Sequence, residues 1–279
     1  MQHVDFFSLL ERLSPTHLAE SWDNVGLLLD PMPARPEVRV VLVAIDLTEP
    51  VLEEALALGV DVVVAYHPAI FSGLKRITRD APLTRRLLRL AQAGVALWTP
   101  HTALDAIPGG MNDWLARGLG AHTSCDALQP CVVAPDRMRP ELVGAGLGRQ
   151  VVLDMPASLQ TLVARLKTHL QIPHVRVAKP NTQDATTLIT RVALCPGAGG
   201  SLFAPLPGPM AGGPDLYVTG EWGHHDVLAK TAQGACVILT EHSNTERGFL
   251  PTYAGRIHAA APDIAVHVST RDADPLVVW

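Results

Sequence analysis

The chain has 279 residues, 48% of them hydrophobic, 18% charged and only 5% aromatic, with a formal net charge of −5. That is enough apolar material for one large or two ordinary buried cores, and it excludes an intrinsically disordered chain. No basic stripe runs along the sequence, so nucleic acid is not expected as a direct partner. Cys125, Cys131, Cys195 and Cys236 form no C-x-x-C pair. This indicates neither a zinc ribbon nor a disulfide framework and fits a reducing compartment, the cytoplasm first, with the mitochondrial matrix and nucleus also compatible.

Met1 to Leu13 sets Phe6, Phe7, Leu9, Leu10 and Leu13 at helical spacing and carries Asp5 and Glu11. It reads as an amphipathic helix rather than a targeting segment. No apolar run reaches the roughly 18 residues of a membrane span. The apolar run ending at Asp30 stops at Pro31, Pro33 and Pro36. Val38 to Ile45 reads as a strand buried on both faces and ends at Asp46. Thr48 is placed to cap a helix from Glu49 to Leu58, with Pro50 in its first turn and Gly59 closing it. Val60 to Ala65 is the next strand, ending at Tyr66-His67-Pro68. Pro82 to Ala93 is a helix stopped by Gly94, and Val95 to Trp98 a strand ending at Pro100-His101-Thr102-Ala103-Leu104-Asp105. Gly109-Gly110 opens a helix from Met111 to Leu119. Ala121 to Pro140 reads as irregular, and the glycine-rich Leu142 to Arg149 leads into the apolar Val151 to Leu153. Ser158 to Leu170 is an amphipathic helix and Val175 to Val177 a short strand. Thr190 to Cys195, Asp215 to Val218 and Ala235 to Thr240 are strands, with a helix from His225 to Gln233. A further helix and a strand from Ile264 to Val268 follow Gly248, and Pro275 to Trp279 closes the chain.

Strand–helix alternation predicts parallel α/β units, which bind ligands beyond the carboxyl ends of their strands. That rule gathers Asp46, His67, His101 and Asp105 on one edge, with His242 at the same kind of place after Ala235–Thr240. A divalent cation takes such a mixture of imidazole and carboxylate. Each residue alone also has a plainer reading. His67 is equally a turn histidine fixed by Pro68, and Asp105 a turn former. If Ser243 or Asn244 caps a helix, His242 sits just before it and Glu246 in its first turn, so both can point into one space above the strand end; taken alone, the pair favours a surface turn and its capping pair. Recurrence at successive strand ends shifts the balance towards a metal site. Glu221, His224 and His225 read first as a helix start. Gly197-Ala198-Gly199-Gly200-Ser201 reads as a tight turn, because it lacks the lysine of a phosphate-binding loop. Cys125 and Cys131 near His122 lack the third group that would orient a nucleophile.

Several motifs together resemble one family. Trp22-Asp23-Asn24-Val25-Gly26-Leu27, Tyr66-His67-Pro68-Ala69-Ile70-Phe71, Pro100 to Asp105 with Gly110 to Leu119, Thr219-Gly220-Glu221 and Glu241 to Gly248 resemble the Nif-three-like dinuclear-metal proteins. These are also labelled GTP cyclohydrolase I type 2 homologues, and the chain is similar to their eukaryotic-type branch. The resemblance implies an α/β fold of two similar lobes, with mostly parallel sheets flanked by helices and a metal site in the cleft between them. Residues 1–124 form the expected first lobe, with 247–279 packing back on it, and 125–246 the second. It further implies a toroidal homo-hexamer, with His67 and Asp105 on one metal, His242 on a second and Glu246 bridging both. Tyr66 stands where many members carry a further histidine, which leaves it as a weak ligand or a proton donor, or leaves the site with one metal. One or two divalent ions are therefore expected; the donor set suits Zn, Mn, Fe or Co alike.

The implied chemistry is hydrolysis. The metal lowers the pKa of a water that then attacks, and His101 serves as general acid or base. The expected substrate is a small molecule, nucleotide-like or phosphorylated. Two alternatives remain: ring opening of the GTP cyclohydrolase type, and a non-catalytic oligomeric scaffold linked to transcription through a protein partner.

Overall fold

The computed structural model describes residues 1–32, 36–131 and 137–278. Pro33, Trp279 and residues 132–136 of the stretch expected to be irregular lie outside the described residues. In chain order the elements are α1 His3–Leu13, β1 Gly26–Leu29, β2 Val40–Ala44, α2 Glu49–Leu58, β3 Val62–Ala65, α3 Pro82–Gln92, β4 Ala96–Thr99, α4 His101–Ala106 and α5 Met111–Arg117. They continue with β5 His122–Pro130, β6 Gly146–Ser158, α6 Leu159–Leu170, β7 Arg176–Ala178, β8 Leu188–Cys195, α7 Gly200–Phe203, β9 Leu216–Thr219, α8 His224–Ala232, β10 Cys236–Leu239, α9 Leu250–Ala260 and β11 Ala265–Val268. Among the described residues, no helix is long and apolar enough to cross a membrane.

The chain divides into two units, Met1–Leu104 with Phe249–Ala273, and Asp105–Gly248 with Asp274–Trp279. The division falls inside α4, twenty residues before the expected boundary. The reason is α5, which packs on β6 and β8 of the second unit. Arg149 of β6, 1% exposed, pairs through Nε with Asp113 of α5 and donates to the carbonyls of Gly146 at 2.7 Å and Gly148 at 2.8 Å.

The first unit is built on a five-stranded sheet of order β1-β4-β3-β2-β11. All its pairings are parallel except that of β1 with β4. Successive residues of a strand face opposite sides. Leu42, Val63 and Leu97 therefore pack with Leu52 of α2 and Leu87 of α3 on one face, while Trp98 stacks on Phe7 of α1 on the other, ring centroids 5.7 Å apart. Burial on both faces is why these strands are continuous Val, Leu and Ile runs. Gly59 ends α2 in the left-handed region, φ 65°, and Thr48 occupies the N-cap, but its side chain makes no capping bond. Helices α1 and α9 are joined by a hydrogen bond between Ser14 Oγ and the Tyr253 hydroxyl, 3.0 Å.

The second unit carries a six-stranded sheet of order β5-β6-β8-β9-β10-β7. Only β8, β9 and β10 are mutually parallel; β5, β6 and β7 join antiparallel. The expectation of mostly parallel sheets thus holds in the first unit, whereas the second is mixed, because β5 and β6 form a long hairpin-like ladder where the sequence suggests irregular chain. The glycines make that ladder possible. A Cβ on Gly146 would stand 2.4 Å from the Gln129 carbonyl and 2.6 Å from the Ala127 Cβ, so only glycine lets β6 run this close to β5. Phe203, Tyr217, Val237 and Leu239 form an apolar cluster on the central strands, and Ser158 caps α6 by accepting from the Thr161 N–H at 3.1 Å.

Candidate functional site

Of the four strand-end residues gathered by the topology rule, Asp46, His67 and His101 lie together in the first unit, whereas Asp105 belongs to the second. The ladders extend one step past β2, β3 and β4: the N–H of Tyr66 donates to the Ala44 carbonyl, that of His67 to Ile45 and that of His101 to Tyr66. These bonds fix where the side chains leave the sheet. Tyr66, 2% exposed, lies against His67 and His101, with ring centroids 5.0 and 5.4 Å away, and the two imidazoles are 5.4 Å apart.

Each imidazole is held by a carboxylate. Asp46 Oδ1 is 3.0 Å from His67 Nδ1, and Asp23 Oδ1 is 2.7 Å from His101 Nδ1. An ionised carboxylate only accepts, so Nδ1 carries the proton in both rings and Nε2 presents the lone pair. Asp23 has a fully buried side chain and also accepts from the Thr102 N–H at 3.2 Å and its hydroxyl at 2.5 Å. Burial alone would push the Asp23 carboxyl up, but the bonds from His101 and Thr102 outweigh it and hold the carboxyl below its ordinary range. His101 has φ 30°, a strained backbone for a residue with a side chain. Sequence reasoning collected Asp46 with the strand ends but did not find the role of Asp23, 78 residues from its partner.

In the second unit β10 runs into two short 3-10 turns, Ser243–Thr245 and Arg247–Phe249, so of the two local readings the turn is the one adopted. His242 sits before the first turn and Glu246 at its end. Neither Ser243 nor Asn244 caps a helix. Ser243 Oγ donates to Asp274 at 2.5 Å and accepts from Arg247 at 2.9 Å, while Asn244 donates to the Thr240 carbonyl at 2.8 Å. The tight turn still presents both candidate ligands together, with His242 Nε2 3.4 Å from Glu246 Oε1. His242 and Glu246 belong to a His/Glu cluster able to hold a metal ion. Glu246 is 2% exposed and Asp105 8%. Both carboxylates act on Cys195 at the end of β8: burial pushes its thiol well up, and the charges of Asp105 and Glu246 push it further.

Two features escaped the sequence reading. Glu221, read there as part of a helix start, has Oε1 2.8 Å from His242 Nδ1 and orients that ring as Asp46 and Asp23 orient theirs. The exposed His224 and His225 begin α8 and pair with each other, 5.4 Å between rings. Gly197, in the loop read as a simple turn, has φ +60°, and a Cβ there would meet Glu246 Oε1 at 2.7 Å and His242 Nε2 at 2.9 Å. The Gly197 N–H donates to Thr245 Oγ1 at 2.7 Å and its carbonyl accepts from Thr219 Oγ1 at 3.0 Å. The space against the two donor atoms is thus kept open by a glycine locked in place. A buried carboxylate, an oriented imidazole and that cradle fit a divalent cation. Cys125, set aside as a nucleophile, is pushed up to about 11 by burial and by Asp113, which keeps it a thiol.

A family model described as Duf34/NIF3 (NGG1p interacting factor 3) matches residues 1–275. The chain is similar to the protein NIF3 homolog of Schizosaccharomyces pombe, 43% identical over 276 residues, covering 96% of this chain and 95% of that one. It is also similar to NIF3-like protein 1 of Homo sapiens, 33% identical, with 97% and 91% covered. Among solved structures, a Bacillus cereus protein related to NIF3 superposes with TM-score 0.83 at 21% identity, over 100% of this chain and 99% of that chain. A Staphylococcus aureus hypothetical protein superposes with TM-score 0.82 at 27% identity and the same coverage.

Proposed function

This chain belongs to the Duf34/NIF3 family, and starting from that membership we propose that it is a divalent-metal-dependent hydrolase. The observation that carries the reading is the buried Glu246 carboxylate beside His242, with Gly197 leaving their donor atoms room. The proposed ligands are His67, Asp105, His242 and Glu246, and each of the two histidines is oriented by a carboxylate on its other nitrogen. A divalent cation held there supplies Lewis acidity and acidifies water near neutral pH. His101 moves the proton at Nε2, because Asp23 keeps the proton on Nδ1 and stabilises the imidazolium when it forms. Tyr66, packed against both imidazoles, places a phenol where it can donate a proton to a leaving group. The substrate class is nucleotide-like or phosphorylated, and the working assembly is a homo-hexamer.

The test measures bound metal and hydrolysis in the wild type, Asp105→Ala and Glu246→Ala. Both variants are expected to lose metal and activity together, and unchanged metal occupancy in both would falsify the ligand assignment. The narrower cyclohydrolase reading requires formate release from GTP by the metal-loaded protein. A relative in Saccharomyces cerevisiae, 37% identical, is named NGG1-interacting factor 3, which supports a second reading, partner binding by an oligomeric scaffold. Ligand variants that keep partner binding in a protein with no turnover to lose would favour it.

A further inference from the structure

Trp22 and Phe71 are 56% and 57% exposed, whereas Trp98 and Trp114 are 4% and 7% exposed. The two exposed rings belong to different loops of the first unit yet meet at 5.9 Å between centroids, tilted by 50°. Trp22 also meets His101 edge-on at 6.0 Å. Both loops are tied down. Asn24 Nδ2 donates to the Ile70 carbonyl at 2.6 Å, which joins one loop to the other. Asp23, next to Trp22, is anchored by His101 and Thr102. Beyond Phe71 the chain continues through the exposed cations Lys75, Arg76 and Arg79, with Asp80 as the single acid.

An apolar surface this small does not hold a protein segment, which needs a longer row of contacts. It does match one planar ring. A fixed aromatic face beside the imidazole that moves the proton would hold a flat group next to the reacting bond. The exposed Lys75 and Arg76, four and five residues after Phe71 in the chain, suit a phosphate carried by the same molecule.

We propose that Trp22 and Phe71 form a stacking platform for the heterocyclic base of a nucleotide, with Lys75 and Arg76 drawing its phosphate. The role beside His101 rests on the hydrolase reading, whereas the binding itself does not. Every base presents a π-face, so the platform holds the class and discriminates little among bases. Ribose phosphate alone would leave the rings unused.

Calorimetric titration of the full chain as purified, with AMP, GMP, CMP, UMP and ribose 5-phosphate, tests this. Nucleotide binding is expected, weakened by about tenfold or more in Trp22→Leu and in Phe71→Leu. Trp22→Phe, which restores an aromatic face, is expected to stay within about threefold of the wild type. Ribose 5-phosphate should bind more weakly than any nucleotide and equally in all variants. The platform is overturned if no nucleotide binds at millimolar concentration, if both leucine variants keep wild-type affinity, or if ribose 5-phosphate matches the nucleotides. Metal content, unchanged by these surface substitutions, separates this failure from that of the ligand assignment: a wrong hydrolase reading leaves binding intact and turnover absent.

Discussion

Replacing Gly197 by alanine puts a methyl group where the two candidate donor atoms need space. The added Cβ would lie 2.7 Å from Glu246 Oε1 and 2.9 Å from His242 Nε2, closer than real Cβ contacts come. The backbone there has φ +60°, which costs a residue with a side chain about 1–2 kcal/mol. Relief of the overlap adds a comparable amount, so the total is about 2–4 kcal/mol. For a unit of this size that lowers the melting temperature by about 5–15 °C. Both donor atoms must also shift by a few tenths of an ångström, about the tolerance of a metal–ligand bond, and displaced ligand support typically costs 10–100-fold in metal affinity, roughly. Gly212→Ala is the control: it also has positive φ, +85°, but nothing lies within 4 Å of its Cβ. Calorimetric melting and metal competition against a chromophoric chelator read the two effects separately. Gly212→Ala should show strain alone, whereas Gly197→Ala should show strain and lost metal. Equal metal affinity in the two variants refutes the cradle.

Two further outcomes follow from the hydrogen-bonded carboxylates. Asp23 titrates below its ordinary range in the folded chain, so the stabilisation it contributes is complete above about pH 4 and is lost as pH falls through its folded value. The melting-temperature advantage of the wild type over Asp23→Asn should therefore shrink as pH drops below about 4, and a constant advantage across that range contradicts the assignment. Asp113→Ala leaves the Arg149 guanidinium buried without its carboxylate and should cost about 3–5 kcal/mol, measured by denaturant unfolding. Adding Arg149→Met should recover part of that loss, and a double variant weaker by the full sum would show that the two side chains act independently.

The parallel strands were legible because burial on both faces demands runs such as Val62-Val63-Val64-Ala65, all fully buried. Strand β5 was not, since His122–Pro130 is only half buried and is held as a strand by its partner β6, which no local pattern announces. The glycines of Gly146–Arg149 look like a breaker in sequence and act as an approach device in the fold. At the site, His242 and Glu246 could be read because they sit at the end of an apolar run. The carboxylates that orient the imidazoles come from 21 and 78 positions away, and only tertiary structure brings them near. Between the helix and the turn that the sequence left open after His242, a local bond decides: Thr245 Oγ1 bonds back to the His242 carbonyl at 2.6 Å, closing the tight turn that keeps Glu246 beside His242.

Strand β11 pairs Ala265 through Val268 with Val40 through Val43, so the first unit is completed by chain made more than two hundred residues later. At ordinary ribosomal rates the gap lasts roughly 10–40 s. For that time the nascent β2 offers an open row of amides and carbonyls on one side, the arrangement that recruits foreign strands. A message truncated after the codon for Gly248 would leave that edge open permanently, and its product should be insoluble although every proposed metal ligand has been synthesised.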